Sequence, residues 1–583
     1  MKRCLLALTG LLWFLAPLKF VVPVNLQSLA IPPSAPLEWV FWAWPNQLAV
    51  MLAAVLLLAL ALDGAWTAGG GLLGWLVGLW LVTQALAMRV AICWQTGMDT
   101  LLHFAACAVL FYASARCARE PKWERWLVGS LAVATLLACG VALDQHFGGL
   151  EATRRFAEEH ANLSEALRWK LTSRRVFGTF ASPNSLAGFL ALVFAPLCAW
   201  LWSKAENRIT KIAAVAVAGG LMLVGVALSG SRGGCVALAV SGLTWLGCRR
   251  GSARRWVGAA LLAALLVALL LKGGWLHLGS SSLAARWDYW GGAARIVRDY
   301  PWLGTGPGTF GSIYPKYKTA PTEEAQLAHN NFLQMASDSG IGAFVVFTAL
   351  WGVGLWRALR LARQRADALS AGLAAALAAW TTHGLLDFDL YVPGVALPAF
   401  GLLGAVQGLS DPVASKADGR QAVPPTADRC RRVLVVLATL LVTGILWLEG
   451  GMLAAAFAFG KGDAIRAVQR APRNPHYWTL LGDVAMQLGD KATALEAYAK
   501  AVDLDPMRPG RHVRLARAYW SAGKPAWAAA ALRQAIALHP GERSYREELK
   551  AIEESVRQLK GGLLQSHPVV GERQRKRAWN SNK

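Results

Sequence analysis

Four short stretches of the chain carry side chains whose types could do chemistry. Ser229-Gly230-Ser231-Arg232-Gly233-Gly234 sets one guanidinium among small residues that permit a tight turn. Arg286, Trp287 and Trp290 precede a run rich in glycine, Pro301 to Gly308. That run leads on to His329-Asn330-Asn331, and Arg174-Arg175-Val176-Phe177-Gly178-Thr179-Phe180 runs into Ser182-Pro183-Asn184. Arginine presents a rigid fork of N–H donors that meets phosphate oxygens two at a time. A neutral imidazole can take a proton from an attacking hydroxyl. Together these are the tools for gripping a phosphate beside an acid–base group. Each has a plainer reading as well: an arginine at a helix end can snorkel to lipid phosphate, and a lone histidine is more often structural than catalytic. Position has to decide.

Other chemistries leave no matching pattern. There is no Walker A loop, no HExxH and no GxSxG. His383 with Asp387 and Asp389 is a thin donor set for a metal, and neither a metal nor a cofactor is expected. The nine Cys include no CxxC pair and avoid both the long loop 272–340 and the C-terminal region, so neither a disulfide framework nor a zinc site is indicated.

The elements that must hold these residues are set by composition. Hydrophobic residues make up 55% and charged residues 16%, where a soluble domain carries about 25% charged. The mean hydropathy is +0.37. Lipid must therefore be the solvent for much of the chain. The 27 Trp fit, because indole collects at membrane–water interfaces. The net charge of +24 sits in short loops between apolar runs, which points to topology signals and anionic lipid rather than nucleic acid.

Runs of roughly 20 apolar residues, the length that crosses a bilayer, occur near 4–22, 45–62, 71–91, 99–117, 126–144, 185–203, 210–229, 233–248, 255–271, 341–360, 369–386, 391–409 and 433–457. The first is expected to stay as an uncleaved span. Lys and Arg accumulate at 116–125, 204–211, 249–255 and 357–365, and with this set of spans all four loops fall on the side of Lys2 and Arg3. By the positive-inside rule that side is cytoplasmic. Segments 145–184, 272–340 and everything after about 458 then lie outside, and the candidate side chains gather at the outer surface. Charge at membrane depth marks function by default.

After 460 the hydropathy collapses and a repeat appears. Pro472, Pro506 and Pro540 recur every 34 residues, each shortly after an Ala-Val or Ala-Ile pair. Trp478, Gly482, Ala494, Tyr498, Ala501 and Pro506 follow tetratricopeptide spacing. Two clear repeats and a partial one make a short solenoid, fit either to hold a protein or peptide partner or to cap the chain. The organisation expected is N-terminal spans over 1–170, a membrane core over 171–410, a cytoplasmic loop and last span over 411–460, repeats over 461–560 and a basic tail over 561–583.

The four chemical stretches, in their order and at the outer face, resemble the O-antigen ligase and Wzy-type polymerase superfamily over about 170–410. Ligases of that family carry a His followed by Asn, Ser or Gln, then nine residues, Gly, two residues and Gly, Thr or Tyr. His329, Asn330 and Gly340 match, and the last position is Ala343, a departure at the level of the ligase subtype. The resemblance implies an all-α membrane bundle of the GT-C type, here with about 12–13 spans. It also implies a glycan donor on undecaprenyl pyrophosphate, used at the periplasmic face of a bacterial inner membrane. Arg232 and Arg286 would hold the pyrophosphate and His329 would act on the acceptor hydroxyl, with Arg175, Asn330, Asn331 and Trp290 touching substrate. The acceptor separates a ligase (lipid A core), a polymerase (a second lipid-linked chain) and a protein O-oligosaccharyltransferase. Two further classes are a non-catalytic scaffold for polysaccharide export and a transporter; the latter usually places its charges in mid-span.

Overall fold

The computed structural model describes residues 1–29, 32–64, 71–159, 172–248, 281–319, 324–410 and 425–565. The expected span 255–271, the basic cluster 249–255 and the tail arginines Arg573, Arg575 and Arg577 lie outside those residues. Every regular element described is helical. The chain divides into two compact units, Met1–Tyr314 with Thr322–Ala471 and Pro315–Pro321 with Pro472–Lys583.

The first unit is the membrane bundle. In chain order its long helices are α1 (Lys2–Lys19), α2 (Asn46–Asp63), α3 (Leu72–Ala87), α4 (Trp94–Cys117), α5 (Trp123–Asp144), α6 (Pro183–Lys204), α7 (Arg208–Ser229), α8 (Arg232–Cys248), α9 (Ser281–Asp299), the short α10 (Phe310–Tyr317), α11 (Asn331–Arg365), α12 (Ala368–Gly384), α13 (Pro393–Ser410) and α14 (Pro425–Gly460). Nine are long and apolar enough to cross a membrane among the described residues: α2 to α7, α11, α13 and α14. Three further expected spans fall short of that measure. Helix α1 carries Lys2, Arg3 and Lys19, and α8 and α12 have 17 residues each. All three are nevertheless packed members of the bundle: Trp13 of α1, Ala237 of α8 and Trp380 of α12 are fully buried.

Small residues draw the helices together. A Cβ on Gly404 or Gly408 would lie 2.2 Å from the Phe111 carbonyl oxygen or 2.1 Å from that of Ala115, so the two glycines, one turn apart, let α13 touch the α4 backbone. This is the small-xxx-small device by which helices associate in lipid, where hydrophobic burial offers no drive. At one end of the bundle Lys2 pairs with Glu120 (3.2 Å), Arg116 with Asp63 (2.9 Å) and Lys204 with Glu124 (2.7 Å). Two of the four basic clusters seen in the sequence, 116–125 and 204–211, are thus gathered at the end that carries Lys2.

The segment read as a long outer loop is folded instead. Tyr289, Ala293 and Ile296 recur at helical spacing and are buried on one face of α9. The mixed composition of 281–299 masked that period. The short α15 (Ala464–Arg470) ends the first unit; in the second, α16 (Pro475–Gln487) pairs with α17 (Lys491–Leu504), and α18 (Pro509–Ser521) with α19 (Pro525–Leu538), and α20 (Arg543–Gln565) closes the stack. Gly482 lies under the Tyr498 ring, where a Cβ would come within 2.6 Å. The Tyr498 hydroxyl donates to Asp483 (2.6 Å). These are the repeat positions the spacing singled out.

Candidate active site

Asn330 caps α11, its Oδ1 accepting from the backbone N–H of Phe332 (2.9 Å) and Leu333 (3.0 Å). The chain enters this cap through His329, which holds φ +50°, a conformation uncommon outside glycine. The imidazole is fixed on three sides. Tyr289 of α9 stacks on it at 5.5 Å, Phe388 meets it edge-on at 4.7 Å, and Nδ1 lies 3.2 Å from Asp387 Oδ1. With Nδ1 turned to the carboxylate, Nε2 is the ring nitrogen left for chemistry.

Asp387 is buried in the turn between α12 and α13. Its backbone N–H donates to the His383 carbonyl (2.9 Å), and its Oδ1 accepts from the Phe388 N–H (2.9 Å). The second carboxylate oxygen lies 3.9 Å from Arg286 Nη2. Burial pushes this carboxyl upward, yet His329, with His383 and Arg286, outweighs burial and holds it well below the usual carboxylate range. A fixed anion behind an imidazole sets its tautomer and steadies the imidazolium that forms on proton uptake. Behind this pair lies another, His383 Nδ1 to Asp389 Oδ2 at 2.6 Å.

Arg175 and Arg232 approach from the other side. Arg175 Nε donates to the Ser229 carbonyl (2.6 Å), and its Nη2 to Asn184 Oδ1 (2.9 Å), which ties segment 172–182 to the end of α7. Gly230 turns the chain in the left-handed region (φ +60°), and α8 begins at once with Arg232. A Cβ on the next residue, Gly233, would sit 3.4 Å from the His383 ring. Arg175 is half-buried. Burial lowers its hold on its proton, Asp387 opposes that, and Arg286 and Arg232 add to it. Three guanidinium groups, one imidazole and one carboxylate therefore share one electrostatic neighbourhood at a helix N-terminus, itself an anion-seeking place.

The Pro301–Gly308 run is the clamp that holds α9 and α11 in register. Gly340 (φ +84°, ψ 175°) breaks α11, leaving the preceding carbonyls without helical partners. Ser337 and Asp338 accept there from Thr305 N–H (3.2 Å) and Gly306 N–H (2.8 Å), and Pro301 accepts from Ile341 N–H (2.8 Å). The Asp338 carboxylate takes the N–H groups of Gly308 (2.8 Å) and Phe310 (3.1 Å), the Gln334 amide (2.9 Å) and the Tyr391 hydroxyl (2.7 Å). Gln334 and Asp338 lie one turn apart on α11. They are buried, and their partners come from loops that the helix period alone does not reveal.

Of the residues singled out in the sequence, His329, Arg286, Arg232 and Arg175 are brought together. Trp290 stands beside them on α9, packed edge-on against Trp287 (5.2 Å), its buried Nε1 with no hydrogen-bond partner among the described residues. The two amides have tasks inside the chain. Asn330 is the cap, and the fully buried Asn331 accepts from the Leu390 N–H (3.2 Å), anchoring the turn that carries Asp387. Asp387 is the residue that sequence reasoning undervalued. It stood out only as one of a His–carboxylate group, and nothing in the spacing ties it to His329, far upstream.

Residues 217–348 match the family model described as O-antigen ligase, and residues 475–507 match one for the tetratricopeptide repeat. No curated protein matches the chain significantly.

Proposed function

We propose that this chain, a polytopic membrane protein carrying an O-antigen ligase domain and C-terminal tetratricopeptide repeats, transfers or polymerises a saccharide delivered on undecaprenyl pyrophosphate. The diphosphate sits among Arg232, Arg286 and Arg175. The acceptor hydroxyl oxygen attacks the anomeric carbon of the first sugar, its proton passes to His329 Nε2, and the bond from that carbon to the phosphate oxygen breaks. Undecaprenyl pyrophosphate leaves with the electron pair. Such a leaving group needs cationic stabilisation of its growing charge and an oriented attacker more than it needs covalent help. Asp387 holds the base and, through Arg286, the cationic grip. Trp290 offers an apolar face and an N–H to the sugar. The basic end of the bundle faces the cytoplasm, and the site and the repeats face the periplasm.

One observation carries this reading: His329 and Arg286 reach the same buried carboxylate. A scaffold has no use for so costly a buried charge. The repeats favour a protein at the acceptor side, either as substrate or as partner, so protein O-oligosaccharyl transfer is the second reading. The test is a strain lacking the native copy, complemented with His329→Ala or Arg286→Ala and assayed for surface glycan and for glycoproteins by gel and mass spectrometry. Loss of one glycoconjugate at normal protein level is expected, and its identity names the acceptor. Normal glycan with abundant folded variant overturns the assignment.

A further inference from the structure

A second polar cluster lies inside the bundle, separate from His329. Asn46 and Gln47 at the start of α2, Asp99 and His103 on α4 and Glu449 on α14 line one small cavity. Asn46, Gln47, His103 and Glu449 are each at most 4% exposed. Asp99 and Glu449 are close enough to feel one another's charge.

The cavity is rich in acceptors. Asn46 Nδ2 donates to the Val22 carbonyl (2.9 Å), which fixes the amide and turns Oδ1 the other way. That Oδ1 and Gln47 Oε1 are buried without a hydrogen-bond partner among the described residues. Gln95 Nε2 donates to Asp99 (2.8 Å). Lys19, on the neighbouring segment, spends its ammonium on the Val40 and Trp42 carbonyls. His103 Nε2 lies 2.8 Å from the Leu390 carbonyl, which can only accept, so Nε2 carries a proton. Two acids and two amide oxygens without a partner among the described residues are a costly arrangement in lipid unless a cation or bound protons neutralise the acids.

We infer that Asn46, Gln47, Asp99 and Glu449 form a site for one small monovalent cation, sodium or a proton held between the two carboxyl groups. Hard oxygen ligands select such ions over softer metals, and the space is about that of a single water. The site adjoins the candidate active site. His103 holds the Leu390 carbonyl while Asn331 holds the Leu390 N–H, so the turn bearing Asp387 and Asp389 is pinned from both sides. Occupancy of the cavity steadies that turn.

Thermal unfolding of the full-length protein in nanodiscs tests this. The melting temperature should rise with sodium chloride beyond an equal concentration of choline chloride. The sodium midpoint should rise about tenfold per pH unit lowered wherever protons compete for the carboxylates. A response to sodium at fixed pH identifies sodium. Stabilisation on lowering pH alone identifies the proton, provided that Asp99→Asn and Glu449→Gln each abolish it. Gln47→Leu, which keeps both carboxylates, should weaken the response and serves where a carboxylate variant does not fold. A melting temperature indifferent to both ions, or a response that survives these substitutions, overturns the site.

Discussion

Asp387 Oδ1 lies 3.2 Å from His329 Nδ1, while the other oxygen of the same carboxylate lies 3.9 Å from Arg286 Nη2. The carboxylate comes from the turn after α12, the imidazole from the entry to α11 and the guanidinium from α9. One buried anion therefore sets the position of a base and of a cation together. In the proposed reaction these two act at opposite ends of the bond that breaks, and a shift of one would be felt by the other.

Asp387→Asn should keep the shape and lose the charge. As a positioning residue it acts through His329, so the turnover number should fall by roughly 10²–10⁴, with a smaller change in KM for the lipid-linked donor. Initial rates of purified protein against donor concentration separate the two effects. A rise in KM alone would assign the residue to donor binding.

Arg232→Lys keeps a positive charge and removes the fork. If the diphosphate is held two oxygens at a time, kcat/KM should drop by on the order of 10²–10³. Wild-type efficiency would mean that a point charge suffices.

Gly340→Ala places a side chain at φ +84°, with its Cβ 2.1 Å from the Trp302 carbonyl oxygen. Backbone strain alone costs about 1–3 kcal/mol, and the clash adds to it. The variant should unfold at lower temperature and lose transfer activity, because the Pro301–Gly308 clamp no longer seats. Unchanged melting would show that α11 can break elsewhere.

What the sequence revealed follows from what each signal measures. Apolar runs report burial in lipid, so most spans were visible. The repeat declared itself by the recurrence of Pro472, Pro506 and Pro540. Arg175, Arg232, Arg286 and His329 could be picked out because charged groups beside apolar spans are conspicuous. Their partners could not. Asp387 and Asp338 look like ordinary loop and helix acids until the fold brings His329 to one and the glycine run to the other. Helix α9 does not show in the sequence because its buried apolar positions Tyr289, Ala293 and Ile296 stand in a polar stretch, and the Asp99–Glu449 cavity joins segments far apart in the chain.

The repeat unit should respond to pH through His476. Burial, with Arg511 beside it, lowers its pKa to about 4. Between that value and the ordinary 6.5 or so the unfolded chain binds the proton and the folded one does not. Stability of this unit should therefore be complete above about pH 6.5 and decline as pH falls. Hydrogen exchange of α16 and α18 across that range measures it, and His476→Gln should flatten the slope. A slope unchanged in the variant would assign it to other groups.

The central claim, a base at His329 acting on an acceptor beside an arginine-held diphosphate, is met most directly by single-turnover transfer. Purified His329→Gln protein, saturated with undecaprenyl-pyrophosphate-linked saccharide, should bind donor as the native protein does and transfer it slower by about 10²–10⁴. Transfer at the native rate, with donor bound and the variant folded, would contradict it.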